Sequence, residues 1–261
     1  MSIDESTAKG LTTRFQREAA NGWSRFRSKV NALPLSTRPR SQIKLSESLI
    51  KAAGPAVAYD ASSKKGMSAG LWKFFNIPNA GRGFMLSHFA WPMGDSLRLL
   101  DTTPCFVTPH AVQRVAQCYL DNADQISELG ESIALAMLPV GHIHRMELQC
   151  KDEGVSLLSK SWGDCWAVSP FGCVLMSHNK HGARIAKTFI AREKWDEWRS
   201  RKWGRYLDSD ENTLIADCKT GDVLNVLNKG AASDGATVAR DVAKFNLRKR
   251  GIASWSSSSV H

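Results

Sequence analysis

From residue 142 to residue 191 the chain abandons a helical period and alternates in short runs, each closed by turn-forming residues. His142 to Cys150, Val155 to Ser161, Cys165 to Val168, Cys173 to His178 and Ile185 to Ala191 read as strands. Between them stand Asp152-Glu153-Gly154, Trp162-Gly163-Asp164, Ser169-Pro170-Phe171-Gly172 and Asn179-Lys180-His181-Gly182. Loops this short join strands that run in opposite directions, so the stretch is expected to form an antiparallel meander.

The segments on either side keep a 3.6-residue period. Thr108 to Asn122 has an N-cap threonine, a proline at the first helical position and an apolar stripe of Val112, Val115, Ala116 and Tyr119. A second helix is expected from Gln125 to Leu138, stopped by Pro139, and a third over about 191 to 206, bearing Trp195, Trp198 and Trp203. Two helices, a four- to five-stranded antiparallel meander and a closing Trp-rich helix define an α+β fold.

A chain of 261 residues that is 43% hydrophobic can bury a full core. Composition places that core at 67–207, between a basic, partly disordered arm at 1–66 and a peripheral tail at 208–261. Residues 1–51 carry ten Lys and Arg against four Asp and Glu. Within them Leu11 to Val30 could form a basic amphipathic helix on Phe15, Trp23, Phe26 and Val30, before Leu33-Pro34 breaks it. Such an arm either stays solvated or clamps nucleic acid or a protein partner. Thr237 to Leu247 is expected to make one short helix in the tail.

Met1-Ser2-Ile3-Asp4-Glu5 does not read as a secretory signal, and the longest apolar runs fall far short of the roughly 20 residues a membrane helix needs. The expectation is a soluble, cytoplasmic protein without a membrane partner. Six cysteines (105, 118, 150, 165, 173 and 218) contain no Cys-x-x-Cys pair and read as reduced, mostly buried thiols.

A net charge of +10 and a pI near 9.5 call for an anionic partner, RNA or DNA ahead of an acidic protein. His110-Ala111-Val112-Gln113-Arg114 opens the first core helix, with imidazole and guanidinium one turn apart on the face opposite the apolar stripe. This motif, followed by a second helix and a small antiparallel sheet, resembles the compact ribonuclease-toxin domains related to RelE and BrnT, over about residues 105–191. Where those domains often carry a further arginine one turn on, this chain has Cys118.

The resemblance implies metal-independent RNA cleavage, which needs a base for the 2′-hydroxyl, an acid for the leaving 5′-oxygen and fixed cations around the phosphorane. His110 suits either proton role, Arg114 suits a phosphate oxygen, and His178 and His181 in a late turn are the candidates for the remaining proton transfer. Arg184 and Lys187 follow as further candidate nucleic-acid contacts, at an odd spacing that turns them to opposite faces of a regular strand. The other reading of His110 and Arg114 is an ordinary solvated helix face.

Arg192, Arg199 and Lys202 interleave with the tryptophans of the closing helix, and Arg25 and Arg27 lie in the N-terminal segment. These are the candidate nucleic-acid contacts, while the tryptophans themselves read as core anchors with a basic rim. His142 and His144, or His178 and His181, have legal metal-ligand spacing but no acidic or cysteine partner at a diagnostic distance, so neither metal nor cofactor is expected. Three functions remain: a toxin-like or defence-related ribonuclease, a non-enzymatic nucleic-acid-binding protein of a plasmid, phage or similar element, and a structural or assembly subunit docking an acidic partner.

Overall fold

A computed structural model describes residues 3–33, 39–63, 66–77, 81–100, 105–143, 164–178, 184–207 and 213–227. Two helices lead the chain: α1 (Glu5–Asn31) and α2 (Pro39–Ala53). Asp4 caps α1 by accepting from the Thr7 N–H at 2.9 Å. Five strands follow: β1 (Val57–Ser63), β2 (Gly66–Ile77), β3 (Gly81–Pro92), β4 (Arg98–Leu100) and β5 (Cys105–Val107). Next come α3 (Pro109–Tyr119) and α4 (Ile126–Ala136), with residues 138–143 again helical. The last described elements are β6 (Cys165–Ser169), β7 (Gly172–His178), β8 (Arg184–Ala191), α5 (Glu197–Trp203), β9 (Thr213–Asp217) and β10 (Val223–Leu227).

The ten described strands join one sheet in the order β1-β2-β3-β5-β8-β7-β6-β9-β10, with β4 paired to β3 beside that path. Every pairing is antiparallel except β5 with β8, which run parallel with Cys105 opposite Arg184 and Val107 opposite Ala186. The β6-β7-β8 meander is present as the alternation predicts. The larger layout differs from the expected two helices and a small sheet: half of the sheet precedes α3, and β9 and β10 extend it after α5.

The N-terminal segment is a packed part of the fold rather than an arm. Ala8, Leu11, Phe15 and Ala19 of α1 enter the main core with Phe84, Val112, Val115, Leu129 and Ile133. Phe15 stacks on Phe84 at 5.4 Å and is fully buried, worth about 2–3 kcal/mol relative to exposure. Phe26 joins Leu49 and Ala53 of α2 on Ala69, Leu71, Phe89 and Trp91. The boundary expected at 66 therefore cuts a continuous β-hairpin. Similarly, β9 lies inside the sheet between β6 and β10 with Thr213–Ala216 buried, although it belongs to the segment read as a peripheral tail.

Two other assignments change. His142 and Ile143 are helical, not strand, and the rest of 142–150, the expected strand at 155–161 and the expected helix at 237–247 lie outside the described residues. The closing helix is broken into two 3₁₀ turns (Arg192–Lys194 and Gly204–Tyr206) around a seven-residue α5, because Asp196 caps a fresh helix start through the Arg199 N–H at 2.8 Å.

The turn from α2 into β1 is clasped between two helix glycines. A Cβ on Gly22 would strike the Ala53 carbonyl oxygen, and one on Gly130 would lie 2.6 Å from the Val57 carbonyl oxygen. The Trp72 indole N–H donates to the Gly130 carbonyl at 2.8 Å, tying α4 to β2 at the same place. Gly22→Ala and Gly130→Ala should each lower the urea-unfolding free energy by about 1–3 kcal/mol, through overpacking against backbone. Gly10→Ala, on the same helix with nothing within 4 Å, should raise it by up to about 1 kcal/mol.

Candidate functional site

Helix α3 presents the expected pair. Thr108 caps it, its hydroxyl accepting from the Ala111 N–H at 3.2 Å. Ala111, Val112, Val115 and Ala116 are buried, which leaves His110 and Arg114 exposed on the outer face. The Arg114 guanidinium donates to the Gln117 side chain at 3.1 Å.

The start of α3 is bolted to β8. The Thr108 N–H donates to the Ala186 carbonyl at 3.1 Å and the Thr108 hydroxyl to the Lys187 carbonyl at 3.0 Å. At this point β8 carries a bulge: Met176 pairs with Ala186 and Leu175 with Thr188, leaving Lys187 as the extra residue. The bulge lets Ala186 and Phe189, three apart, both enter the main core. It also turns Lys187 outward, where its ammonium meets Asp164 at 2.7 Å. The Lys187–Asp164 pair thus stems from the strand residue whose carbonyl holds the turn that carries His110.

Arg184 does not belong to it. Its side chain is 5% exposed, and it faces Cys105 across the β5–β8 pairing. Burial pulls its guanidinium below the usual range, and the nearby Cys105 sulfur acts the other way. A buried guanidinium cannot meet a phosphate backbone at the surface, so Arg184 is withdrawn as a nucleic-acid contact. His178 closes β7, while its side chain and the whole of His181 lie outside the described residues.

The tryptophan cluster packs as the sequence reading favours, with one departure. Trp203 is fully buried, its indole N–H donating to the Gly221 carbonyl at 2.9 Å, and Trp166, Trp195 and Trp198 surround it at 6.2, 5.5 and 5.7 Å. Trp198 is the departure, being 43% exposed with its ring edge over Gly221. The cations there are held internally. Arg199 pairs with Asp196 at 2.6 Å between the Trp166 and Trp198 rings, and Lys202 meets Asp222 and the Thr220 carbonyl, each at 2.7 Å. Arg192 sits over Trp195 at 5.9 Å. Each of these intramolecular pairs lowers what the rim can offer a phosphate.

His142 directs Nδ1 to the Thr213 hydroxyl at 3.0 Å from the helical stretch 138–143, and His144 lies outside the described residues. Among the described residues no group of three or more His, Cys, Asp or Glu is placed to hold a metal ion. No described helix is long and apolar enough to cross a membrane.

The N-terminal basic residues tell a different story. Arg25 donates to the Ala52 carbonyl at 2.8 Å and lies 3.7 Å from Glu18, joining α1 to the end of α2. Lys29 reaches Ser48 at 2.6 Å. Arg27 is exposed, and so are Lys9, Arg14 and Arg17, which sequence reasoning did not single out. Their signal was legible: the period that puts Phe15 and Phe26 inside also puts these four outside. Neither family models, nor curated proteins, nor solved structures match the chain.

Burial drives Cys105, Cys165 and Cys173 up to about 12, so all three stay protonated thiols at neutral pH. Iodoacetamide at pH 7.5 should leave these three unlabelled in the native protein and label them in 6 M guanidinium, as read by peptide mass mapping. Thr108→Ala should cost about 1–2 kcal/mol in chemical denaturation, because it removes both the α3 cap and the tie to Lys187.

Proposed function

We propose that this protein binds nucleic acid through electrostatic contacts to the phosphate backbone. The observation that carries the reading is where the charge lies. Helices α1 and α2 hold nine Lys and Arg against three Asp and Glu, a surplus of six out of the chain's ten. The cations near α5 are largely matched by carboxylates, whereas Lys9, Arg14, Arg17 and Arg27 of α1 stand exposed on a helix whose other side is anchored in the core. A rigid cationic surface of this kind releases condensed counterions when it meets a polyanion, which supplies sequence-independent affinity.

Filter binding of the full chain to labelled RNA and DNA across 50–300 mM KCl tests the reading. The logarithm of affinity should fall linearly with the logarithm of salt concentration, with a slope of at least about three. Retention that is absent at 50 mM salt, or that does not change with salt, would overturn it.

Ribonuclease activity is the second reading, supported by the bond from Thr108 that ties the start of the His110 helix to the backbone of Lys187. It rests on the resemblance to RelE- and BrnT-related domains and gives His110 a proton-transfer role. His110→Ala should abolish EDTA-resistant cleavage of labelled RNA while leaving retention of that RNA intact. Retention with no cleavage by the wild type would remove the enzyme and leave the binding protein.

A further inference from the structure

Viewed down its axis, α1 divides sharply. At 100° per residue, Ala8, Leu11, Thr12, Phe15, Ala19, Gly22 and Phe26 form the buried sector. Opposite them an arc of about 140° holds Ser6, Lys9, Gly10, Thr13, Arg14, Arg17, Ala20, Asn21, Ser24, Arg27, Ser28 and Asn31, every one exposed. It contains four cations and not one acidic side chain. Glu5 and Glu18, the acidic residues of the helix, fall on its flanks.

An ordinary solvated helix face mixes Glu with Lys at i,i+4 spacing, which stabilises the helix by itself. The i,i+4 partners available to its cations, Glu5 for Lys9 and Glu18 for Arg14, stand on the flanks, and Arg17 and Arg27 have no acid three or four residues away, so helix pairing does not explain the whole arc. Between the cations stand only small, hydroxyl or amide side chains. These let a partner approach the backbone closely and offer it hydrogen-bond donors, as contacts to phosphate and sugar require. The cations run from Lys9 to Arg27 over about 27 Å of straight helix.

The missing residue type is as informative. Proteins that hold single strands place aromatic rings where bases can stack. The arc has no aromatic residue, because Phe15, Trp23 and Phe26 all turn towards the core. A membrane surface is a poor fit for the same reason: the apolar face that would enter lipid is already buried in the protein.

From this arrangement we infer that the outer arc of α1 is a docking surface for a nucleic-acid duplex, gripped through its phosphates by Lys9, Arg14, Arg17 and Arg27 without base readout. The inference rests on the nucleic-acid-binding reading and adds to it the surface and the form of the ligand. A duplex presents a rigid, closely charged backbone that a rigid helix can follow, and DNA and RNA duplexes share that chemistry.

The test compares the wild-type full chain with two triple variants of equal charge change. One is Arg14→Ala, Arg17→Ala and Arg27→Ala; the other, a control, is Arg82→Ala, Arg201→Ala and Lys219→Ala, exposed positions off this helix. A third protein with Arg14→Lys, Arg17→Lys and Arg27→Lys keeps the charge. Fluorescence anisotropy is read with a 24-base-pair DNA duplex, the matching RNA duplex, each single strand and poly-L-glutamate, at several salt concentrations, with circular dichroism confirming the helix content of each variant.

The α1 alanine variant should lose about tenfold or more in duplex affinity and about three units of salt slope, while the lysine variant and the control remain within about twofold of wild type. Wild type should bind at least one duplex no more weakly than the single strands and more tightly than polyglutamate. Equal losses in both alanine variants would overturn the α1 surface while leaving nucleic-acid binding in place. Preference for single strands, or for polyglutamate, would overturn the duplex assignment. Absence of all nucleic-acid binding by the wild type would overturn the functional reading together with this one.

Discussion

The backbone of residues 53–57 is clasped between two helices at positions where neither helix has a side chain, and much of the architecture follows from that contact. Gly22 of α1 rests against Ala53 and Ala56, and Gly130 of α4 rests against the carbonyls of Pro55 and Val57. The chain leaves α2 here and enters β1, so the clasp sets where the first strand begins and how closely both helices approach the sheet. The Trp72 bond to Gly130 then anchors β2 to the same point. With α1 pinned in this way, its buried sector is committed to the core and its opposite arc is committed to solvent.

A second constraint joins the halves of the sheet. The three-residue strand β5 pairs antiparallel with β3 and parallel with β8, bridging the β1–β3 ribbon to the β8-β7-β6-β9-β10 group. The chain turns directly from β5 into α3, whose capping threonine is bonded to β8. At its far end the Tyr119 hydroxyl donates to the Phe171 carbonyl in the β6–β7 turn. The His110 turn is thus held at the seam between the two halves, next to a bulge that ejects Lys187 from the strand. Any chemistry at His110 would draw on that seam. The outer arc of α1 belongs to a different helix, so the two surfaces are separable by mutation.

Helix α3 was legible in the sequence, whereas α2 was not read at all. In α3 the period, the cap and the proline all agree, and the observed helix keeps the expected stripe. The β6-β7-β8 meander was equally legible, because turn clusters bracket each run. Strands β2 and β3 were not, since several of their side chains are buried on each face and small residues such as Gly66, Ser68, Ala69 and Gly70 blur any alternation. Charge misled in the other direction. Basic composition suggested that residues 1–66 were a loose arm, yet Leu11, Phe15, Ala19 and Phe26 bury a complete helical stripe against the rest of the chain.

By itself the sequence determined the local devices: which residues cap helices, which turns reverse strands, and which side of α1 and of α3 is apolar. These depend on neighbours a few residues apart, so periodicity and turn chemistry disclose them. Only the tertiary structure decided that Arg184 is buried beside Cys105 while Lys187 is ejected, that Lys202 is matched by Asp222, and that the apolar stripe of α1 is packed into the core rather than left on a loose arm. The physical reason is that a cation's availability depends on which distant strand or helix packs against it, and long-range packing leaves no period in the sequence.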